Sequence, residues 1–134
     1  MHIVLRRLLG QCRSNGVLPD PACTPGAASG DGWYAVCQSG YARKHRKVSA
    51  ATKLLVYHSY GLLIHKLGQY EVDHLIPLEL GGSNAIANLW PEPAPGYHAK
   101  DRVETVLHHR VCDARGGLIK AQEAIAADWT TALD

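Results

Sequence analysis

No stretch of this 134-residue chain is apolar for long enough to span a bilayer, which argues against an integral membrane protein. Its four cysteines, Cys12, Cys23, Cys37 and Cys112, form no Cys-x-x-Cys pair, so a zinc ribbon or knuckle built from them is not expected. No internal repeat is visible. The start, Met1-His2-Ile3-Val4-Leu5-Arg6-Arg7-Leu8-Leu9-Gly10, is too short and too charged in its middle for an ordinary signal peptide. Export by that route is therefore not supported, and location is left open between the cytoplasm and export. An even number of widely spaced cysteines permits two disulfides in three connectivities. Cys37 with Cys112, leaving Cys12 with Cys23, is the preferred pairing. Reduced, buried cysteines are the alternative, because bridges need an oxidising compartment that the chain does not declare.

The length suits one domain, large enough for a real core but not for two. Net charge is only +2, yet its distribution is uneven. Residues 1–68 carry nine Lys/Arg against two Asp/Glu, a balance of +7, and residues 69–134 carry five against ten, a balance of −5. A basic half joined to an acidic half suits a protein that grips polyphosphate with one part and holds a cation with the other. A merely well-solvated basic arm is the plainer alternative. The densest charge run is Arg43-Lys44-His45-Arg46-Lys47.

Residues 10–40 read as irregular, being dense in Gly, Pro, Ser and Asp, with Trp33, Tyr34, Val36 and Cys37 as one short strand or an anchored loop. Ser49 is a plausible N-cap for a helix over roughly 50–60, with Ala51, Leu54, Leu55 and His58 on one side. Gly61 and Gly68 interrupt the segment after this helix. A strand is predicted over 70–78 from Val72, Leu75, Ile76 and Leu78, and Gly81-Gly82-Ser83-Asn84 reverses the chain. A second strand, Leu89-Trp90, is expected to stop at Pro91 and Pro93. The next element is a helix over about 97–112. At about 100° per residue, Ala99, Val103, Val106, Leu107 and Val111 form its apolar face, opposite His98, Asp101, Arg102, Thr105 and His109. Gly116-Gly117 ends it, and Leu118, Ala121, Ile125 and Trp129 keep helical spacing in the next segment.

The most informative stretch is Val72-Asp-His-Leu-Ile-Pro-Leu-Glu-Leu-Gly81, with Gly82 and Asn88-Leu-Trp-Pro91 after it. Hydrolysis of a phosphodiester needs an activated water, charge relief on a nonbridging oxygen and stabilisation of the departing oxygen. One cation can supply the last two. His74, with an ordinary pKa of about 6.5, can take a proton from water near neutrality. Asp73 offers a hard oxygen to a metal, although on an ideal strand it points away from His74. Asn88 can both donate and accept, and so tie the loop to the hairpin and orient His74. His98 lies in the first turn of its helix, where the dipole disfavours imidazolium and the neutral, metal-binding ring is kept.

From Tyr70 to Trp129 the chain resembles the HNH nuclease family, in the subgroup reading Asp-His-Leu-Ile-Pro-Leu-Glu-Leu-Gly-Gly, Asn-Leu-Trp-Pro, then Lys-Asp-x-x-Glu. The combination is specific where any single piece would be weak. The upstream portion, including Cys37 and the region from Lys53 to Tyr57, matches more loosely. The resemblance implies an α+β domain with a ββα-metal (His-Me finger) hairpin-helix core over 41–134, flanking helices, and an irregular region 1–40 packed on it or leading into it. It implies one divalent ion, Mg first and Mn, Ni or Zn as alternatives, with Asp73 and His98 as ligands, His74 as general base and Asn88 as its support. Lys100 and Arg102 are candidates to hold phosphates beside Arg43, Lys44, Arg46 and Lys47, and Glu104 to orient a ligand or pair within the fold. Trp90 and Trp129 read better as core than as stacking platforms, His108 and His109 as surface, and Glu79 as surface or local support. The expected activity is metal-dependent endonucleolytic cleavage of DNA. The alternatives are a nuclease acting on RNA and a non-catalytic, metal-stabilised DNA-binding module. Nothing resembles a separate sequence-reading module, so high sequence specificity is not expected.

Overall fold

The computed structural model describes residues 10–134, so the reading of the chain's start lies outside the described residues. Short helices come first: α1 (Trp33–Val36), α2 (Tyr41–His45) and α3 (Ala50–Ser59). An antiparallel hairpin comes next, β1 (Tyr70–His74) and β2 (Leu89–Pro93), and then the long helix α4 (Gly96–Ala114) and α5 (Leu118–Ala127). This is a small mixed α+β domain with one hairpin and several helices. Among the described residues no helix is long and apolar enough to cross a membrane.

The hairpin differs from expectation at both ends, for local reasons. β2 runs through both prolines instead of stopping at Pro91. Its register pairs Asp73 with Trp90 and Glu71 with Glu92, and the bonds Leu75 N–H to Asn88 O and Ala94 N–H to Gln69 O mark every second pair as the bonded one. Pro91 and Pro93 fall on the alternate positions, where the backbone nitrogen faces away from the partner strand, so neither removes a ladder bond. β1 ends at His74 rather than 78 because the amide of Asn88 takes over the backbone of Ile76. Asn88 Oδ1 accepts from Ile76 N at 2.9 Å, and Asn88 Nδ2 donates to Ile76 O at 2.9 Å. Past Pro77 the chain makes a 3₁₀ turn, Leu78–Leu80.

Three other elements shift. Trp33–Val36 is a helical turn, not a strand. Ser49 caps α3 by accepting from Thr52 N, but the helix buries Val56 and Ser59 and leaves Leu54 exposed, so its inner face is rotated from the one expected. α4 buries Lys100, Glu104, Leu107 and Val111, a stripe at three- and four-residue spacing whose first half is charged, while Ala99 is exposed.

The main core joins Val36, Tyr41, Ile76, Leu80, Leu107, Val111, Ile125 and Trp129. A second cluster joins Cys12, Cys23, Tyr60, Leu75 and Trp90, so adjacent residues Leu75 and Ile76 anchor the hairpin into both. Both tryptophans read as core are buried there. Disulfides join Cys12 to Cys23 and Cys37 to Cys112, the preferred pairing. The second links residues 75 apart, a loop closure worth about 4 kcal/mol in the chain-entropy picture. With the Ala28–Gly82 bridge it fixes the described part of the irregular region onto the rest of the domain.

Gly82 has no freedom to be anything else. A Cβ there would collide with the carbonyl of Ile76, a backbone atom held by Asn88. Gly82→Ala is expected to destabilise the fold by about 3 kcal/mol or more. Urea unfolding checks this, and a change within about 0.5 kcal/mol would show that the turn relaxes freely.

Candidate active site

The hairpin and α4 meet at one buried cation. Lys100 Nζ lies 2.8 Å from Asp73 Oδ2 and 2.6 Å from Glu104 Oε2, and donates to the carbonyl of His74 at 3.0 Å. Its three donors thus meet three acceptors, and the side chain is 0% exposed. Burial alone would push its pKa down, but the carboxylates of Asp73 and Glu104 outweigh that and hold it above the ordinary lysine value. Expected among the phosphate contacts, Lys100 is instead an interior residue. Its ammonium is already committed and cannot reach an external phosphate. Trp90 Nε1 donates to the same oxygen of Asp73 at 3.2 Å, whereas Asp73 Oδ1 makes no hydrogen bond among the described residues.

Asp73 and His74 are both buried, and both line one cleft of about 280 Å³ together with Arg46, Glu71, Asp101 and Glu104. The His74 ring is fixed from the side of the hairpin loop. Its Nε2 lies 3.0 Å from Asn84 Oδ1. Asn84 is oriented by two further bonds, Nδ2 donating to His45 O at 2.7 Å and Oδ1 accepting from Lys47 N at 3.1 Å. Because that oxygen can only accept, the hydrogen-bond network assigns the proton to Nε2 and the lone pair to Nδ1. Nδ1 makes no hydrogen bond among the described residues. Burial holds the His74 pKa below 6.5, a pull that the Asn84 bond only partly opposes, so the ring is neutral at pH 7.

Asn88 is fully buried and uses all of its amide. Besides its two bonds to Ile76, it donates to Ser83 O at 2.8 Å and accepts from Ala27 N at 3.2 Å. It ties the loop to the hairpin, and none of these bonds goes to His74. That contact belongs to Asn84, which the sequence marks only as a turn residue after Gly81-Gly82. No sequence signal distinguishes a turn asparagine whose side chain reaches inward from one that faces solvent.

His98 is exposed in the first turn of α4, with its ring tilted against Tyr97, and is not among the cleft-lining residues. Among the described residues no three His, Cys, Asp or Glu side chains gather into a set that could hold a metal ion. The carboxylates around the cleft nonetheless act on one another. Burial, and then repulsion from Asp73 and Asp101, raise the pKa of Glu71, and burial and Asp73 raise that of Asp101, while His98 acts the other way on both. Hard oxygens beside an imidazole suit a divalent ion in donor chemistry, the unbonded Asp73 Oδ1 among them. Arg43, Lys44, Arg46, Lys47 and Arg102 are exposed, and of these Arg46 lines the cleft. His108 is half-buried, with Nδ1 at 2.7 Å from the carbonyl of Glu79, and His109 is exposed.

Glu92, opposite Glu71 in the register, is another residue that sequence reasoning passes over. It is 0% exposed, and among the described residues neither carboxyl oxygen has a hydrogen-bond partner. Burial, followed by repulsion from Asp73, pushes its pKa up to about 9, so it is protonated at neutral pH. No protein-family profile, curated protein or solved structure matches this chain.

The buried charges make stability sensitive in two ways. Lys100→Met strands Asp73 and Glu104 in the interior and should lower stability by about 3–5 kcal/mol in denaturant at neutral pH. A loss below about 1 kcal/mol would mean that the pair behaves like a surface bridge. For Glu92 the folded pKa lies above the unfolded value, so the folded state keeps a proton that the unfolded state releases. Its effect is a loss of stability as pH rises from 4.5 towards about 9. Glu92→Gln should flatten that decline in unfolding experiments across the same range, and an unchanged slope would place the titration elsewhere.

Proposed function

We propose that this chain is a metal-dependent endonuclease of the HNH, ββα-metal type that hydrolyses DNA phosphodiester bonds. The observation that carries the reading is the state of His74. It is a neutral imidazole whose Nε2–H is pinned to Asn84, leaving Nδ1 as an unengaged base on a residue that lines a carboxylate-rich cleft. A general base must be in reach, deprotonated at working pH and held still, and His74 meets the last two conditions by burial and by hydrogen bonding. A divalent ion, most suitably Mg with Mn, Ni or Zn as alternatives, would be held by Asp73 and His98 with Glu71 and Asp101 at hand, and would supply charge relief on the phosphate and on the departing oxygen.

The chain's own residues have separate tasks on this reading. His74 Nδ1 takes the proton of the attacking water. Lys100 and Trp90 hold Asp73 by one oxygen and leave the other available. Asn88 keeps the loop closed behind His74. Arg43, Lys44, Arg46, Lys47 and Arg102 make sequence-independent phosphate contacts, so affinity falls as salt rises. A second reading, a DNA-binding module that does not cut, is favoured by one feature: Lys100 already pairs with one carboxylate oxygen of Asp73.

Nicking of supercoiled plasmid with added Mg²⁺, Mn²⁺, Ni²⁺ or Zn²⁺, against EDTA and with an RNA substrate in parallel, separates these readings. His74→Ala should lower cleavage by about 10²- to 10⁴-fold while the protein stays folded and its DNA affinity is nearly unchanged. The acid limb of the wild-type rate should have its midpoint below 6.5, because the base must be deprotonated and its pKa is lowered. Folded protein that is silent on both nucleic acids in every metal, or equal cutting by the variant, would overturn the assignment.

A further inference from the structure

Asn84 sits where three parts of the molecule meet. Its Oδ1 accepts from the His74 ring at 3.0 Å and from Lys47 N at 3.1 Å, and its Nδ2 donates to His45 O at 2.7 Å. Two of those three partners are backbone atoms of the exposed basic segment, which therefore reaches His74 through its main chain and not through its charges. The amide is itself mounted firmly. Ser83, just before it, is bonded through its carbonyl to Asn88 and through its hydroxyl to Ala85 N at 2.9 Å, and Gly82 admits no side chain.

A neutral imidazole left to itself populates both tautomers, and its ring turns about the Cβ–Cγ bond. A single acceptor at Nε2 removes both freedoms. Here that acceptor is shared with the N–H of Lys47, so any ligand that shifts the 45–47 backbone acts on the same oxygen that holds the ring. A ligand bound to the charges of this segment thereby gains a differential contact with two positions of His74.

We propose that Asn84 is a positioning residue: it holds His74 in the Nε2–H tautomer with Nδ1 as the accepting atom, and couples phosphate contact at residues 43–47 to the setting of that ring. Its catalytic consequence rests on the endonuclease reading, but the coupling itself does not. The role belongs to Asn84 and not to Asn88, whose amide is exhausted on Ile76, Ser83 and Ala27.

The test is long-range ¹H–¹⁵N correlation of the histidine rings in the ¹⁵N-labelled full chain at neutral pH. EDTA is present so that nothing is cleaved, and a short DNA duplex serves as probe. The wild type should show a pyrrole-type Nε2 and a pyridine-type Nδ1 for His74, and the duplex should move this ring together with the Lys47 amide. In Asn84→Ala the two nitrogens should average towards each other, and the duplex should move Lys47 but not His74. Asn84→Asp, which keeps the acceptor and loses the donor to His45, should restore the Nε2–H pattern. Plasmid nicking should fall roughly tenfold or more in kcat for Asn84→Ala, with KM little changed, and recover in Asn84→Asp.

An unchanged tautomer in Asn84→Ala, a His74 response to duplex that survives there, or a wild-type Lys47 amide that ignores the duplex would each overturn the proposal. Should the alanine variant fail to fold by near-ultraviolet circular dichroism, Asn84→Ser takes its place in every comparison. If the ring behaves as expected while no metal supports nicking, the endonuclease reading falls and the positioning role stands.

Discussion

The ammonium of Lys100 is the contact on which the arrangement of hairpin and helix depends. It is placed by α4, yet two of its three acceptors lie at consecutive residues of β1, the side chain of Asp73 and the carbonyl of His74. A buried lysine of this kind is unfavourable by itself, because desolvation opposes the charge. It is kept charged only because Asp73 and Glu104 approach it together, and their oxygens find in it a donor that the interior otherwise lacks. The three groups can therefore be buried only as a set. Their burial requires α4 to cross the hairpin at one register, since a shift of one residue along either element would separate them. This is the role that a buried ionic network serves best, specifying one packing among several of similar apolar area.

Around that contact, two asparagines divide the work of holding the loop. Asn88 replaces the β ladder where it ends, taking both backbone groups of Ile76, so Leu75 and Ile76 can enter different hydrophobic clusters without leaving unpaired polar groups. Closing the loop this tightly leaves no volume at Gly82. It also sets Asn84 at a fixed place above His74. The chain of dependence runs from the core through Asn88 to the turn, and from the turn through Asn84 to the imidazole. Lys100 fixes the backbone of His74 and Asn84 fixes its ring, from opposite elements.

Much of the secondary structure was legible because it derives from periodicity and turn chemistry. The hairpin, the glycine reversal, the Ser49 cap and the two C-terminal helices are all of this kind. The misreadings have a common source, in that each involved a residue whose local preference is overridden by a distant partner. Pro91 and Pro93 look like strand breakers until the register shows that their nitrogens face away from the ladder. Lys100 and Arg102 read alike as candidate phosphate contacts, yet the first is buried because Asp73 and Glu104 are there to receive it. Sequence pattern locates apolar faces well. It does not locate charges that are buried against one another, and those make up most of this site.

The separation of charge along the chain takes on a meaning in three dimensions. The basic segment 43–47 is exposed, and its Arg46 lines the cleft whose walls also include Glu71, Asp73, Asp101 and Glu104. If the chain acts on a polyanion as proposed, these two surfaces oppose each other. The segment attracts phosphate, while the cleft repels it until some of the carboxylate charge is compensated. Lys100 cannot do this, because its charge is already spent on Asp73 and Glu104. Burial raises the pKa values of Glu71 and Asp101, and repulsion from Asp73 adds to that rise. Phosphate contact and entry into the cleft then become separate events, the first governed by ionic strength and the second by a cation. A device that reports the first event to the base serving the second, through the backbone of residues 45–47 and one shared amide oxygen, lies at the junction where such an order of events calls for it.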